Sequence, residues 1–360
     1  MKSHLTVYRG YPIACFALLY AVFYSCWLHA GSLPADISYV LNDGVRVVEN
    51  QSIDSTLTID GDEWSGAIIR NNFFSGQKKM ALHVSNVSDL VIEGNEFTEL
   101  GGNAIKLRDY KNSWAHNVLI RDNSFHVLEK TPILVGEPNN WTQIVANRFV
   151  NVASDGTGNK QHAIYVKGAD SLIEGNWIDG VVDAHGISIR SSGTVRNNIV
   201  KNVNRDGIKY YSNSSKRGSG ELIIEGNLLV ACGHGGIVLA NGRKALIERA
   251  DVRFNTLINT RRGLRIYPEL DSVQLAVYGN LIVEPSGKFK AFDSGVDLLS
   301  GNLTTTGDIG FFDFTAGDYR LRADSVANGY VEKVPSLPPY DLLRHRFAAP
   351  PWAAGAYQPE

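Results

Sequence analysis

Three short segments carry side chains that can move protons or stabilise charge at matching intervals: His162-Ala-Ile-Tyr165-Val-Lys167, His185-Gly-Ile-Ser188-Ile-Arg190 and Asp206-Gly-Ile-Lys209-Tyr-Tyr211. In each, a polar or ionisable residue stands two places before an isoleucine, another directly follows that isoleucine, and a third comes two places later. Imidazole, phenol and amine are the groups of general acid–base catalysis. A guanidinium offers a planar, two-pronged fork for a carboxylate. Together they suit proton transfer beside an anionic group. The plainer reading is that charges on an exposed strand are merely solvated, and that His185, next to Gly186, is a turn residue bonded to backbone.

The elements that must position these residues come from a repeat of the form aliphatic-x-x-Asn-x-apolar, seen as IRNNFF, IEGNEF, IRDNSF, IVANRF, IEGNWI, VRNNIV, IEGNLL, VRFNTL, VYGNLI and LSGNLT. Its asparagines are Asn72, Asn95, Asn123, Asn147, Asn176, Asn198, Asn227, Asn255, Asn280 and Asn302, spaced 22 to 29 residues apart. Periods of that size indicate a solenoid. A second run in most repeats (ALHV, AIKL, PILV, AIYV, GISI, GIKY, GIVL, GLRI) alternates with period two, and neither run is long enough for a helix. A leucine-rich repeat would want a helical segment where this chain has glycine-led β sequence. The expected fold is all-β, a right-handed single-stranded parallel β-helix of about ten coils, with the asparagines stacked as a hydrogen-bonded ladder. The helix is expected over 67–305, with an N-terminal cap over 31–66 and a C-terminal cap and tail over 306–360.

Alternation in the second run sends the two aliphatic letters inward and the others outward. One outward column then reads His83, Lys106, Leu134, Tyr165, Ser188, Lys209, Val238, Arg265, and the next reads Ser85, Arg108, Gly136, Lys167, Arg190, Tyr211, Ala240, Tyr267. His162, His185 and Asp206 form the rim. The face is cationic, with Lys106, Arg108, Lys160, Lys167, Arg190 and Lys209 against Asp206, although the chain as a whole has a net charge of -2. A basic groove on a rigid scaffold suits a polyanion.

Residues 1–30 read as an export signal: Lys2 and Arg9 precede the apolar run YPIACFALLYAVFYSCWL, and Leu28-His29-Ala30 is an acceptable cleavage site. The rival is an uncleaved anchor. Cleavage implies a periplasmic or secreted protein, with no membrane insertion after processing and an acidic polysaccharide rather than nucleic acid as partner. A monomer is expected. Cys232 is the one cysteine outside that segment, so no intrachain disulfide can form.

With these residues in place the chain resembles the pectin-lyase-like β-helix superfamily, and within it the family of alginate lyases and chondroitinase B. The resemblance implies a catalytic lysine on one coil, matched by Lys167, and an arginine on the next, matched by Arg190. Calcium-binding members carry acidic residues near the lysine, where this chain has Lys160, Gln161 and His162, so no metal and no cofactor are expected. The implied reaction is β-elimination at a uronate, with Arg190 on the carboxylate, Lys167 as a base whose pKa Arg190 and Lys209 depress, and Tyr165 or His162 delivering the proton. The exchanged assignment, Tyr165 as base and His185 as neutraliser, stays open. Lys106, Arg108, Lys209, Tyr211, Asp206 and Ser188 would bind substrate. A uronate C5-epimerase and a non-catalytic polysaccharide-binding protein of exopolysaccharide export are the alternatives. A hydrolase would want clustered carboxylates, and this face carries only Asp206.

Overall fold

The computed structural model describes residues 6–9, 37–107, 113–156, 161–212, 218–241, 246–267, 270, 272–283, 290–293 and 301–359. The apolar run of the expected export signal, Arg108 and Lys160 lie outside them. Among the described residues no helix is long and apolar enough to cross a membrane.

One coil shows how the repeat folds. Ser171–Glu174 runs into a turn at Asn176, continues as Trp177–Val181, turns again and ends in Ile187–Ile189. Each strand pairs in parallel with its counterpart on the next coil: Ile173 beside Val195, Ile178 beside Val200, Ile187 beside Ile208. Repetition generates three long sheets, of 12, 11 and 10 strands among the described residues. The expected parallel β-solenoid of about ten coils is the observed architecture.

The inward aliphatics form one continuous core in which Ile164, Ile173, Ile178, Ile187 and Ile208 are fully buried. Burial of each such side chain stabilises by about 1.5–3 kcal/mol. Phe74, Phe97, Phe125 and Phe149 stack from coil to coil, with ring centroids 4.6, 5.0 and 4.6 Å apart.

Every expected rung of the asparagine ladder is present. Each Nδ2 donates to the Oδ1 of the next asparagine, at 2.9–3.0 Å, from Asn72 through to Asn302. The turn explains the letter before each asparagine. That residue adopts a left-handed backbone, with φ between 50° and 88° from Asn71 to Gly301. Glycine, asparagine and aspartate tolerate this conformation best, and they fill the position except at Ala146 and Phe254.

At the N-terminal end, Ser38–Asn42 pairs antiparallel with both Thr6–Arg9 and Val45–Glu49. Ser52–Ile53 and Leu57–Asp60 are already in parallel register with the coil that follows. Coil stacking thus begins inside the segment 31–66. The segment from 306 first forms a small antiparallel pair, Phe311–Asp313 with Asp318–Leu321. It then runs back along the flank of the solenoid. Gly355 N–H donates to the Gly279 carbonyl and Ala356 N–H to Thr256 Oγ1, both at 2.8 Å, and Asn197 Nδ2 donates to the Asp341 carbonyl at 2.9 Å. Tyr340 and Arg344 both bond Glu174. A second apolar cluster, including Phe254, Leu281, Phe311, Val331 and Tyr357, lies beneath this strap.

Candidate functional site

The sheet built from the second run of each repeat positions the site. Its register bears out the first outward column residue by residue: His83, Lys106, Leu134, Tyr165, Ser188, Lys209, Val238 and Arg265 lie side by side on successive coils. The three motif-bearing segments therefore meet on one face.

At its centre the Arg190 guanidinium lies between two phenol rings, 4.9 Å from the Tyr165 centroid and 5.0 Å from that of Tyr211. Its Nη1 donates to the Tyr211 carbonyl at 3.4 Å, while Nε is buried without a partner. Burial lowers the Arg190 pKa from its ordinary value, opposed by the two tyrosines. Lys167 Nζ stands 5.6 Å over the Tyr165 ring and Lys209 Nζ 5.8 Å over that of Tyr211. Two phenols and three cations thus form one interleaved patch. An orphaned guanidinium N–H in such a place is costly until an acceptor arrives.

Beneath the patch lies a buried chain of titratable groups. His185 Nδ1 is 3.1 Å from Asp206 Oδ2. The His162 and His185 rings stack at 5.0 Å, and the His185 backbone N–H donates to His162 Nδ1 at 3.3 Å. Burial pushes Asp206 up, but its hydrogen bond to His185 and the charges of His185, Lys209 and His234 bring it below the ordinary carboxylate value. The carboxylate is therefore ionised at neutral pH and calls for a proton on His185 Nδ1. The Asp206 backbone N–H also points at that nitrogen, from 3.3 Å; the shorter carboxylate contact decides the tautomer. His185 then keeps its lone pair on Nε2, whereas His162, an acceptor at Nδ1, carries its proton on Nε2. Burial first, and for His162 the neighbouring His185, Arg190 and Lys209, hold both imidazoles below their ordinary pKa. Both are neutral at pH 7.

Burial corrects part of the expected layout. Ser188 was expected on the outward, substrate-facing surface, yet it is fully buried and its Oγ has no partner. It is short, and Tyr165 and Lys209 flank it one strand spacing away on either side and close over it. His162, His185 and Asp206, expected at the rim, are 2%, 4% and 5% exposed. They act on the surface through what they hold. Lys106 is half-buried in the same column, two coils from Tyr165 with Leu134 between. Sequence reasoning missed the ion pair of Lys209 Nζ with Asp206 Oδ2, at 3.7 Å. Burial, then Arg190 and Arg205, pull the Lys209 pKa down against the pull of Asp206. The spacing of three residues along one strand edge was its only signal. Among the described residues no three His, Cys, Asp or Glu side chains gather as metal ligands.

A family model described as "Right handed beta helix region" matches residues 35–159 and 154–257. Among solved structures, the PL6 family alginate lyase AlyGC is 17% identical with a TM-score of 0.43, over 72% of this chain and 48% of that one. The chain thus spans about half the length of that lyase. A single-residue variant of the periplasmic alginate epimerase AlgG is 11% identical with a TM-score of 0.38, over 74% of this chain and 77% of that one. No curated protein matches. The family match extends over more than half of the sequence, and the chain belongs to the right-handed β-helix family.

Proposed function

We propose that this protein binds an acidic, uronate-containing polysaccharide along the cationic face and cleaves it by β-elimination. The reading rests on one observation above all: a guanidinium with a buried, unsatisfied N–H, gripped between two phenols and flanked by two lysines. In the reaction the C5–H bond breaks and its proton passes to Lys167. The electron pair forms the C4=C5 double bond, the C4–O bond breaks, and Tyr165 protonates the departing glycosidic oxygen. Arg190 stabilises the charge that develops on the carboxylate. His162 and His185 lie below the reacting surface, where the Asp206–His185 pair fixes the floor under Lys209 and Tyr165. The apolar run of residues 11–28 supports export to where such polymers occur.

A C5-epimerase would share the first half of the reaction and return the proton to the opposite face. The test is ultraviolet absorbance during incubation with alginate, pectate and chondroitin and dermatan sulfates, paired with C5 proton exchange in heavy water. A lyase raises the absorbance, and Arg190→Ala lowers the rate by about 10²–10³-fold, the usual cost of removing a donor aimed at a developing oxyanion. Exchange without absorbance makes the protein an epimerase. Neither signal on any of these polymers, with binding retained, makes it a binding protein.

A further inference from the structure

The corner that follows each strand of the functional sheet carries a second column of left-handed residues. At these positions a backbone N–H donates to the carbonyl just ahead of the same position on the next coil: Gly66 to Ser88, Asp89 to His116, Asn117 to Asn140, Trp141 to Ala169 and Asp170 to Ser192, at 2.9–3.2 Å. Gly66, Asp89, Asn117 and Asp170, with φ of 76°, 57°, 52° and 54°, are residue types that tolerate this conformation. Trp141, at φ 56°, is the exception. A bulky side chain is strained there, and this one gains no burial in exchange, since it is 53% exposed. Neither the turn nor the core accounts for an indole at this place. Two rings of the preceding coil join it: His116 stacks on Trp114 at 5.3 Å and meets the Trp141 ring edge-on at 5.6 Å, and both are half-buried. His116 Nδ1 accepts the Asn140 N–H at 3.4 Å. Amides border the rings, with Asn117 Nδ2 donating to Asp89 Oδ1 at 2.7 Å and Gln143 Nε2 to Asn117 Oδ1 at 3.5 Å. The turn is also locked to the cationic face. Ala169 N–H donates to Asn140 Oδ1 at 3.0 Å, and a Cβ on Gly168 would stand 1.7 Å from the Asn139 carbonyl oxygen, so glycine is what lets the two corners close. Gly168 and Ala169 directly follow Lys167. The aromatic platform thus lies one to two coils from Lys167, at the lip of the face and on the side of Lys106.

We infer that Trp114, His116 and Trp141 form a stacking subsite that holds a pyranose ring of the polysaccharide by its C–H face, on the Lys106 side of the reacting bond. The inference rests on the proposed substrate class. A pyranose presents C–H bonds on its face and hydroxyls around its edge. Flat apolar rings bordered by amides match that distribution: the rings take the face, and Asn117 and Gln143 take the hydroxyls. The patch does not select for negative charge, because the Asp89 carboxylate on its border turns a uronate carboxylate away. Continuity with the cationic face identifies the ligand, since a polymer seated on Lys167 and Arg190 reaches Trp141 one coil, or about 4.8 Å, further along the axis. The cations select the polymer by its charge, and the platform selects it as a sugar.

The experiment compares the wild-type protein with Trp141→Asn, which installs a residue type the column itself favours. Calorimetric binding of alginate, pectate and chondroitin sulfate is measured at low and high salt, alongside turnover by ultraviolet absorbance, C5 proton exchange, melting temperature and sedimentation. An oligothymidylate is the control, because bases also stack on aromatic rings beside cations. Affinity for the polysaccharide should fall about tenfold. The salt dependence should keep its slope, since no charge has been removed, whereas Arg190→Ala flattens it. The melting temperature should hold or rise as the strained backbone is relieved. Unchanged affinity with turnover intact overturns the subsite and leaves the proposed function standing. Lost affinity together with a lower melting temperature makes Trp141 structural and overturns it too. So does tighter binding of the oligothymidylate than of any polysaccharide, or a wild-type dimer that the substitution dissociates. Binding of none of the polysaccharides overturns both readings. If one binds without turnover or exchange and Trp141→Asn weakens it at unchanged melting temperature, the cleavage reading falls and the subsite stands.

Discussion

Replacing Asn176 by alanine removes one interior rung of the ladder, and the structure sets the size of the effect. Asn176 Oδ1 accepts from the Asn147 backbone N–H and from Asn147 Nδ2, both at 3.0 Å. Its Nδ2 donates to the Ile144 carbonyl at 2.8 Å, the Glu174 carbonyl at 3.2 Å and Asn198 Oδ1 at 2.9 Å. The carbonyl of Glu174 keeps the Ala146 N–H, and Asn147 Nδ2 keeps the carbonyls of Ile120 and Val145. The Asn147 backbone N–H is the group left stranded, 1% exposed as its residue is. A stranded buried amide costs ~1–3 kcal/mol and each of the four other lost bonds ~1 kcal/mol, which gives about 5–7 kcal/mol in all. Asn302, at the last rung and half-buried, can be replaced with water taking over its bonds, so the same substitution there should cost less than half as much. Urea unfolding followed by circular dichroism measures both losses. Hydrogen exchange checks that the damage begins at residues 144–200 rather than throughout, since solenoid coils depend on their neighbours. A loss below ~1 kcal/mol at Asn176, or equal losses at the two rungs, would refute the view that the ladder is a primary tie between coils.

His162 and His185 are held neutral in the folded protein with pKa values below the ordinary 6.5. The unfolded chain takes up protons there first, so stability is complete above pH 6.5 and falls as pH drops through it, by up to about 1.4 kcal/mol per pH unit for each imidazole still neutral. Melting temperatures between pH 7 and 5 should show this slope, and His162→Gln should reduce it; a flat profile would contradict the burial of both rings. Cys232 is fully buried, and burial pushes its thiol far above the ordinary range. It should therefore react with an aromatic disulfide reagent only at the rate of unfolding, and a fast reaction in native buffer would count against the packing around it.

Most of the fold was legible because one turn, repeated once per coil, demands both an asparagine and a residue able to take positive φ before it. That double requirement leaves a mark at a fixed place in every repeat, from Asn71-Asn72 to Gly301-Asn302. The outward columns were legible for a related reason, since strand alternation assigns Tyr165 and Lys209 to one face whatever surrounds them. Depth was not. Period two separates inside from outside, but whether Ser188 reaches solvent depends on the length of Tyr165 and Lys209 on the two neighbouring coils. The contact between His185 and Asp206 was equally hidden, because the two are 21 residues apart and only the register of successive coils brings Nδ1 to the carboxylate. The course of the C-terminal segment left no mark at all: Arg344 meets Glu174 across 170 residues, and no periodicity announces the pairing.

That strap makes the molecule countable. An ordinary solenoid can gain or lose a repeat and simply become longer or shorter, because each coil answers only to its neighbours. Here the returning chain is fastened at Gly279, Thr256, Asn197 and Glu174. A coil inserted or deleted anywhere between Glu174 and Gly279 would leave Tyr340 and Arg344 one step out of phase with their carboxylate. The number of coils between the cationic patch and the end of the helix is gauged by a ruler of fixed length.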